Sequence, residues 1–225
     1  TVIVIFENAC ATLEQVVART PIRKVIVTGI GDMLGFPKGV ITNFAIRRVK
    51  KMVPPWSLPG ALPFKEIIRA GGSLKLDEVD VSGEDIAFLQ YTGGTTGVSK
   101  GAILTHRNLV ANTLQVVAYM PELSVIKDTV VITALPLYHI FALTSNFLVF
   151  TRVGGLNVLI TNPRDMAGFV KELSRVRFTF ITGVNTLFNA LLHTPGFDKL
   201  DFSSLKVALG GGMAVQAAVS ERWRQ

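Results

Sequence analysis

The sequence predicts an α/β fold of mostly parallel sheets flanked by helices, and three observations predict it. Short β-branched runs alternate with amphipathic stretches along most of the chain, the pattern of parallel strands joined by crossover helices rather than of a sandwich or a bundle. Apolar residues make up 49% of the 225 positions against 17% charged, enough material for a buried core. Two glycine clusters each stand directly behind a candidate strand, where open α/β sheets keep their ligand crevices.

The expected strands cover residues 2–6, 24–28, 86–91, 130–134, 156–160, 178–182 and 205–209, all short and rich in Val, Ile, Leu and Phe. The first, Val2-Ile3-Val4-Ile5-Phe6 behind Thr1, reads as a buried strand, and with no start methionine before it the polypeptide is expected to begin earlier. Helices are expected over 13–19, 107–119, 141–150, 166–175, 186–192 and 215–223, where apolar residues recur at helical spacing, with Asn185 as the cap of the fifth. Between Pro54 and Pro63 four prolines deny backbone donors, so this segment is expected to be an irregular connector. The expected division is a partial first α/β subdomain over residues 1–76 and a second α/β subdomain over residues 77–225.

Lys and Arg number 23 and Asp and Glu 16, and the resulting net charge of +7 favours nucleotide phosphates, anionic lipid heads or nucleic acid without choosing among them. Much of the excess is local. Residues 39–53 place Val40, Ile41, Phe44, Ala45, Val49 and Met52 at roughly helical spacing, with Arg47, Arg48, Lys50 and Lys51 towards one end and Lys38 in front. Two readings are open: a helix packed on the core with a solvated charged face, or an in-plane contact with a membrane surface. No aromatic-and-basic interleaving accompanies the charge, so nucleic acid is not an expected partner. The single Cys10 excludes an intrachain disulfide framework and reads as a small buried residue. No run reaches the ~20 apolar residues that cross a bilayer. The expected location is cytoplasmic, with a peripheral place on the inner membrane face open to the basic stretch.

The strongest chemical signal is Tyr91-Thr92-Gly93-Gly94-Thr95-Thr96-Gly97-Val98-Ser99-Lys100-Gly101, directly after a candidate strand. Glycines let backbone N–H groups turn inward around an anion, threonine hydroxyls donate further hydrogen bonds, and the lysine ammonium offsets charge. Read as a turn between strand and helix, this composition points to nucleotide phosphates. It is not a Walker loop, because Ser99 precedes Lys100 and Gly101 follows it.

This loop resembles the signature of the adenylate-forming superfamily of acyl-CoA synthetases, luciferases and nonribosomal peptide adenylation domains. The continuation Ala102-Ile103-Leu104-Thr105-His106-Arg107-Asn108-Leu109 matches too, and nearly the whole chain is similar to the bacterial long-chain fatty acyl-CoA synthetases, most securely from Glu84 onward. The resemblance implies an internal piece of the N-terminal domain of an AMP-forming ligase. A carboxylate and ATP give acyl-adenylate and pyrophosphate, and the CoA thiol then displaces AMP. ATP, Mg2+ and CoA are the implied cofactor and co-substrates, a long-chain fatty acid the implied substrate, and a homodimer one assembly open to the complete enzyme. Thr92 is implied as a magnesium ligand. Gly93, Gly94, Thr95, Thr96, Gly97 and Lys100 are implied around the phosphates, where fixed donors stabilise charge building on the leaving group.

Leu135-Pro136-Leu137-Tyr138-His139-Ile140-Phe141-Ala142-Leu143 matches the aromatic-histidine motif of the same superfamily. His139, Phe141 and Leu143 are thereby implied on the substrate side. A carboxylate is already ionised at neutral pH, since an unperturbed carboxyl has a pKa of ~4, so His139 is expected to position or gate rather than to act as a general base. Leu143 occupies the place where some long-chain relatives carry a gating tryptophan. The resemblance puts Gly183 and Val184 near the acyl chain, where each buried methylene contributes about 0.8 kcal/mol. It makes Gly210, Gly211, Gly212 and Met213 the adenine-side loop. It also implies segments beyond residue 225: a Tyr-Gly-x-Thr-Glu motif, a ribose-binding aspartate and a mobile C-terminal domain. The chain alone is therefore expected to be inactive. A fatty acyl-AMP ligase, another acid–CoA ligase and a non-catalytic nucleotide- or lipid-binding module are the competing readings.

Overall fold

A computed structural model describes residues 1–92 and 100–224. The chain divides into two compact units, Thr1–Val79 and Asp80–Gln225.

In the first unit, β1 (Val2–Phe6), β2 (Lys24–Thr28) and the two-residue β3 (Leu62–Pro63) form a parallel sheet in the order β1-β2-β3. The end of the proline-rich connector thus enters the sheet. Ile3 and Ile5 pack on a small core of Cys10, Leu13 and Leu58, whereas Val2, Val4 and Phe6 are exposed. The expected buried strand is therefore an edge strand covered on one face, because side chains alternate with a period of two and a single layer lies beneath. The helix expected over 13–19 is instead α1 (Cys10–Glu14) followed by a separate 3-10 turn, Val17–Arg19. β-branched Val16 and Val17 resist helix continuation, and the Thr20 hydroxyl donates to Val17 O at 2.8 Å to end the turn.

After β2 the backbone is held by Asp32. Its carboxylate accepts from Gly29 N at 2.8 Å, Asn43 Nδ2 at 2.8 Å and Thr28 Oγ1 at 3.2 Å, and Asn43 Oδ1 in turn accepts from Gly31 N at 2.7 Å. Partial burial pushes the Asp32 carboxyl up, but these donors and Lys65 outweigh it and hold the group below the ordinary carboxylate range. α2 (Lys38–Phe44) then crosses the loop so closely that a Cβ on Gly39 would overlap the carbonyl oxygen of Gly31. It continues as a π-helical turn, Ala45–Val49. Only Ile46 of that turn is buried; Phe36, Val40, Ile41, Phe44 and Val49 face outward, so this amphipathic segment does not lay its apolar face on the core. Arg47 is not part of the free charge, since its Nε donates to the buried Glu7 carboxylate at 2.7 Å. α3 (Phe64–Gly71) completes the unit.

The second unit opens with an antiparallel hairpin of β4 (Ile86–Thr92) and β5 (Lys100–Thr105). The glycine-rich loop therefore connects two strands, not a strand and a helix. Ala102-Ile103-Leu104-Thr105 is a β-prone run paired with Gln90, Leu89, Phe88 and Ile86 of β4, with a register shift between Phe88 and Ile86. α4 (His106–Tyr119) begins with a capping box in which the Thr105 hydroxyl accepts from Asn108 N while the Asn108 side chain accepts from Thr105 N. The short α5 (Glu122–Val125) leads to β6 (Val130–Thr133). α6 (Ile140–Ala142), a π-helical turn over Leu143–Leu148 and α7 (Val149–Arg152) replace the continuous α-helix expected over 141–150. β7 (Leu156–Leu159), α8 (Met166–Leu173), β8 (Phe180–Gly183), α9 (Asn185–Leu192), β9 (Val207–Gly210) and α10 (Ala217–Arg224) follow.

β6 to β9 form one all-parallel sheet in the order β7-β6-β8-β9. One face packs Ile132 and Ile181 against Phe169, Leu173, Phe188 and Leu191 from α8 and α9, with Val219 and Trp223 of α10 added. The other packs Val131 and Phe180 against Leu123, Val149 and Phe150, with Phe150 edge-on to Phe180 at 5.2 Å between centroids. Helices thus cover both faces, as a parallel sheet requires.

Candidate functional site

The parallel strands of the second unit all end on one side, and that side carries the second glycine cluster and the Gly183–Val184 pair. β8 and β9 finish in register, with Gly183 opposite Gly210, and Gly211 N donates to Gly183 O at 3.1 Å just beyond the sheet. Gly212 has φ +77°, a left-handed conformation that glycine adopts without steric cost, and it turns the chain back towards α10. Val184 lies beside it: a Cβ on Gly212 would come within 3.6 Å of a Val184 methyl. Met213 is exposed at the tip.

Asn185 does not cap α9. It is the first helical residue, behind Val184, and its Oδ1 instead accepts from Gln216 N at 2.9 Å. The stretch from Gly211 to Gln216 is therefore fastened at both ends, to Gly183 and to Asn185.

His139 stands at the start of α6, where its Nδ1 accepts from Phe141 N at 3.3 Å. With Nδ1 acting as acceptor, a neutral imidazole carries its proton on Nε2 and offers a donor outward. Phe141 reaches across to β9, with its ring over Gly211; a Cβ added there would sit 2.5 Å from Phe141 Cζ. Leu143 is buried. The strand ends thus bring His139, Phe141, Gly183, Val184 and Gly210 to Gly212 into one corner, and Leu143 follows one turn along, its N donating to His139 O at 2.9 Å.

Thr92 and Lys100 face each other as the last register pair of the β4–β5 hairpin, both exposed, with the Thr92 hydroxyl 3.5 Å from Lys100 O. Gly93, Gly94, Thr95, Thr96 and Gly97 lie outside the described residues. α4, which leaves this hairpin, packs against the π-helical turn and α7. Among the described residues no group of three carboxylate, imidazole or thiolate side chains could hold a metal. Thr92 offers one neutral oxygen, which suits an ion that takes most of its ligands from phosphate and water.

Beneath the corner lies a polar cluster that sequence reasoning missed. Asn146, fully buried in the π-helical turn, donates through Nδ2 to Thr133 Oγ1 at 2.8 Å and accepts from Thr182 Oγ1 at 3.0 Å. Thr133 Oγ1 donates to Asn157 Oδ1 at 2.7 Å, and Asn157 Nδ2 returns to Asn146 O at 3.2 Å. The available signal was Thr144-Ser145-Asn146, three polar residues inside an otherwise apolar helical run.

The model of the family described as "AMP-binding enzyme" matches residues 2–225. The chain belongs to the AMP-binding enzyme family. Among the AMP-binding enzymes it is similar to the long-chain-fatty-acid–CoA ligase of Yersinia pestis, 55% identical over 98% of this chain and 39% of that protein. The ligase of the same name from Haemophilus influenzae is 50% identical over 99% of this chain and 40% of that protein. The chain thus spans about two fifths of the length of the curated relatives it matches. The N-terminal domain of FACL13 from Mycobacterium tuberculosis shares the fold, with a TM-score of 0.66 at 19% identity, covering 99% of this chain and 53% of that one. The family and the α/β class expected from the sequence are both borne out.

Proposed function

We propose that the complete polypeptide is an ATP-dependent long-chain fatty acid–CoA ligase that forms an acyl-adenylate and then a CoA thioester. The observation that carries this reading is the corner at the strand ends, where the Gly210–Gly212 backbone and the His139–Phe141 turn meet, in a chain more than half identical to ligases of that name. The glycine backbone and Met213 take the base of ATP. Gly183 and Val184 leave room for the acyl chain, with Phe141 and Leu143 as its apolar wall. The Nε2–H of His139 holds a carboxylate oxygen, a positioning task that needs no proton transfer. Thr92 and Lys100, with Gly93, Gly94, Thr95, Thr96 and Gly97 between them, grip the β- and γ-phosphates. A carboxylate oxygen attacks the α-phosphorus, the bond to pyrophosphate breaks, and the lysine ammonium offsets the charge that leaves. Thr92 would offer its hydroxyl to Mg2+, which supplies further charge neutralisation when bound. In the second step the CoA sulfur takes the acyl group and AMP departs.

The test is incubation of the complete polypeptide with ATP, palmitate and CoA. AMP and palmitoyl-CoA in equal amounts are expected. Palmitoyl-adenylate with no thioester would assign it to the acyl-AMP ligases, and nucleotide binding without turnover would make it a non-catalytic module.

The exposed segment of the first unit supports a second element of this reading, a peripheral contact with an anionic membrane surface in the cytoplasm. Phe36 is 90% exposed, and Val40, Ile41, Phe44 and Val49 are each more than half exposed, beside Lys38, Arg48, Lys50 and Lys51. Apolar side chains at the acyl boundary with cations at the headgroups suit an interfacial helix. Each cation contributes about 1 kcal/mol, so Arg48, Lys50 and Lys51 together replaced by Gln should weaken binding to phosphatidylglycerol vesicles ~10²-fold at low salt. Unchanged cosedimentation would remove the contact. Arg47 is left in place because it neutralises Glu7.

A further inference from the structure

We propose that Asn146 is a positioning residue that sets the His139–Phe141 turn against the ends of the sheet. The inference relies on the ligase reading only for which substrate that turn faces. A buried amide in a helical segment is unfavourable on two counts: Asn is a poor helix former, and its polar atoms lose water. A leucine would serve a layer that already holds Leu143 and Val149. What the amide does instead is bind strands. Through Thr133, Thr182 and Asn157 it reaches β6, β8 and β7, and Thr133 and Thr182 are each only 2% exposed.

The same turn carries the connection upward. Ser145 Oγ donates its one proton to Phe141 O at 2.6 Å, the shorter of its two contacts, so Ser145 joins Phe141 to Asn146 through the peptide bond it shares with Asn146. Phe141 N is in turn the donor to His139 Nδ1, and the Phe141 ring lies on Gly211 at the end of β9. One amide therefore refers the turn to three strands, and the Phe141 ring adds the end of the fourth. The widened π-helical turn is what lets Asn146 aim at the strand ends, and such turns recur at functional sites. With the side-chain oxygens and nitrogen of Asn146, Thr133 and Thr182 each given a partner, the network specifies one register of the turn, which an apolar side chain could not do.

The experiment uses the complete polypeptide carrying Asn146→Ala or the near-isosteric Thr182→Val, read by hydrogen exchange and by steady-state kinetics. Amides of residues 141–149 should exchange about 10-fold faster while those within β6 and β8 keep their protection, a local opening. The KM for palmitate should rise about 10-fold, as expected for loss of a buried hydrogen bond, with the KM for ATP within about 2-fold. Exchange that is unchanged, or that rises equally in the strands, overturns the proposal; so does local opening with an unchanged palmitate KM. If the unmodified protein does not turn over palmitate, the ligase reading fails, and the exchange pattern still decides whether Asn146 sets the turn.

Discussion

Replacing Lys100 by alanine in the complete polypeptide is expected to slow palmitate-dependent exchange of pyrophosphate into ATP by about 10²- to 10³-fold, the cost of removing one fixed donor from developing charge. The position of this lysine is the reason. It is the first residue of β5, registered against Thr92, and the following Gly101 lies under the Tyr91 ring, 3.3 Å from where a Cβ would sit. The ammonium thus leaves from a paired strand rather than from the middle of a turn, so its stem starts from a fixed point. Lys100 is exposed, so the same change should leave the unfolding free energy within the range of ordinary surface substitutions, about ±0.5 kcal/mol. A rate within about 3-fold of the unmodified protein, at saturating ATP, would show that the ammonium does not serve the leaving group.

Gly39→Ala should lower the stability of the first unit by about 3 kcal/mol, the upper part of the range for overpacking. The added methyl would meet the carbonyl oxygen of Gly31, and the converse holds for Gly31→Ala. A flexible side chain could swing aside; a backbone carbonyl moves only with its chain. That chain is bound to Asn43 and Asp32, so the Asp32 bracket would open with it. Gly71→Ala is the control. Nothing lies within 4 Å of its missing Cβ, at the end of α3, and the better helix former should be neutral or stabilising by up to about 1 kcal/mol. Urea denaturation with unchanged slope would measure both, and equal midpoints for Gly39→Ala and the unmodified chain would contradict the close crossing.

The expected strands were legible because each is a short, mostly β-branched run closed by a turn, and all seven are present within two residues of the expected bounds at each end, whereas the two-residue parallel β3 lay in the expected connector. What escaped was decided by partners distant in sequence. β5 has the composition of a strand, but the glycine-rich loop before it and the helix after it drew the boundary elsewhere; only pairing with β4 fixes it. The openness of β1 depends on there being one layer beneath it, which no local pattern encodes. Asn185 fits a cap by residue type, yet Gln216, 31 residues away, takes its oxygen. Of the corner itself, the glycines, His139 and Phe141 could be named from their motifs, whereas Asn146 could not, because its three strands converge only in the folded sheet.

The double fastening of the stretch from Gly211 to Gln216 has a thermodynamic consequence. A loop free to wander must surrender conformational entropy when a ligand arrives, and that loss is subtracted from the affinity. Here Gly183 and Asn185 have already taken it, at the time of folding. Cutting the Asn185 tether should therefore show itself chiefly as a less favourable entropy of nucleotide association, with the enthalpy little altered.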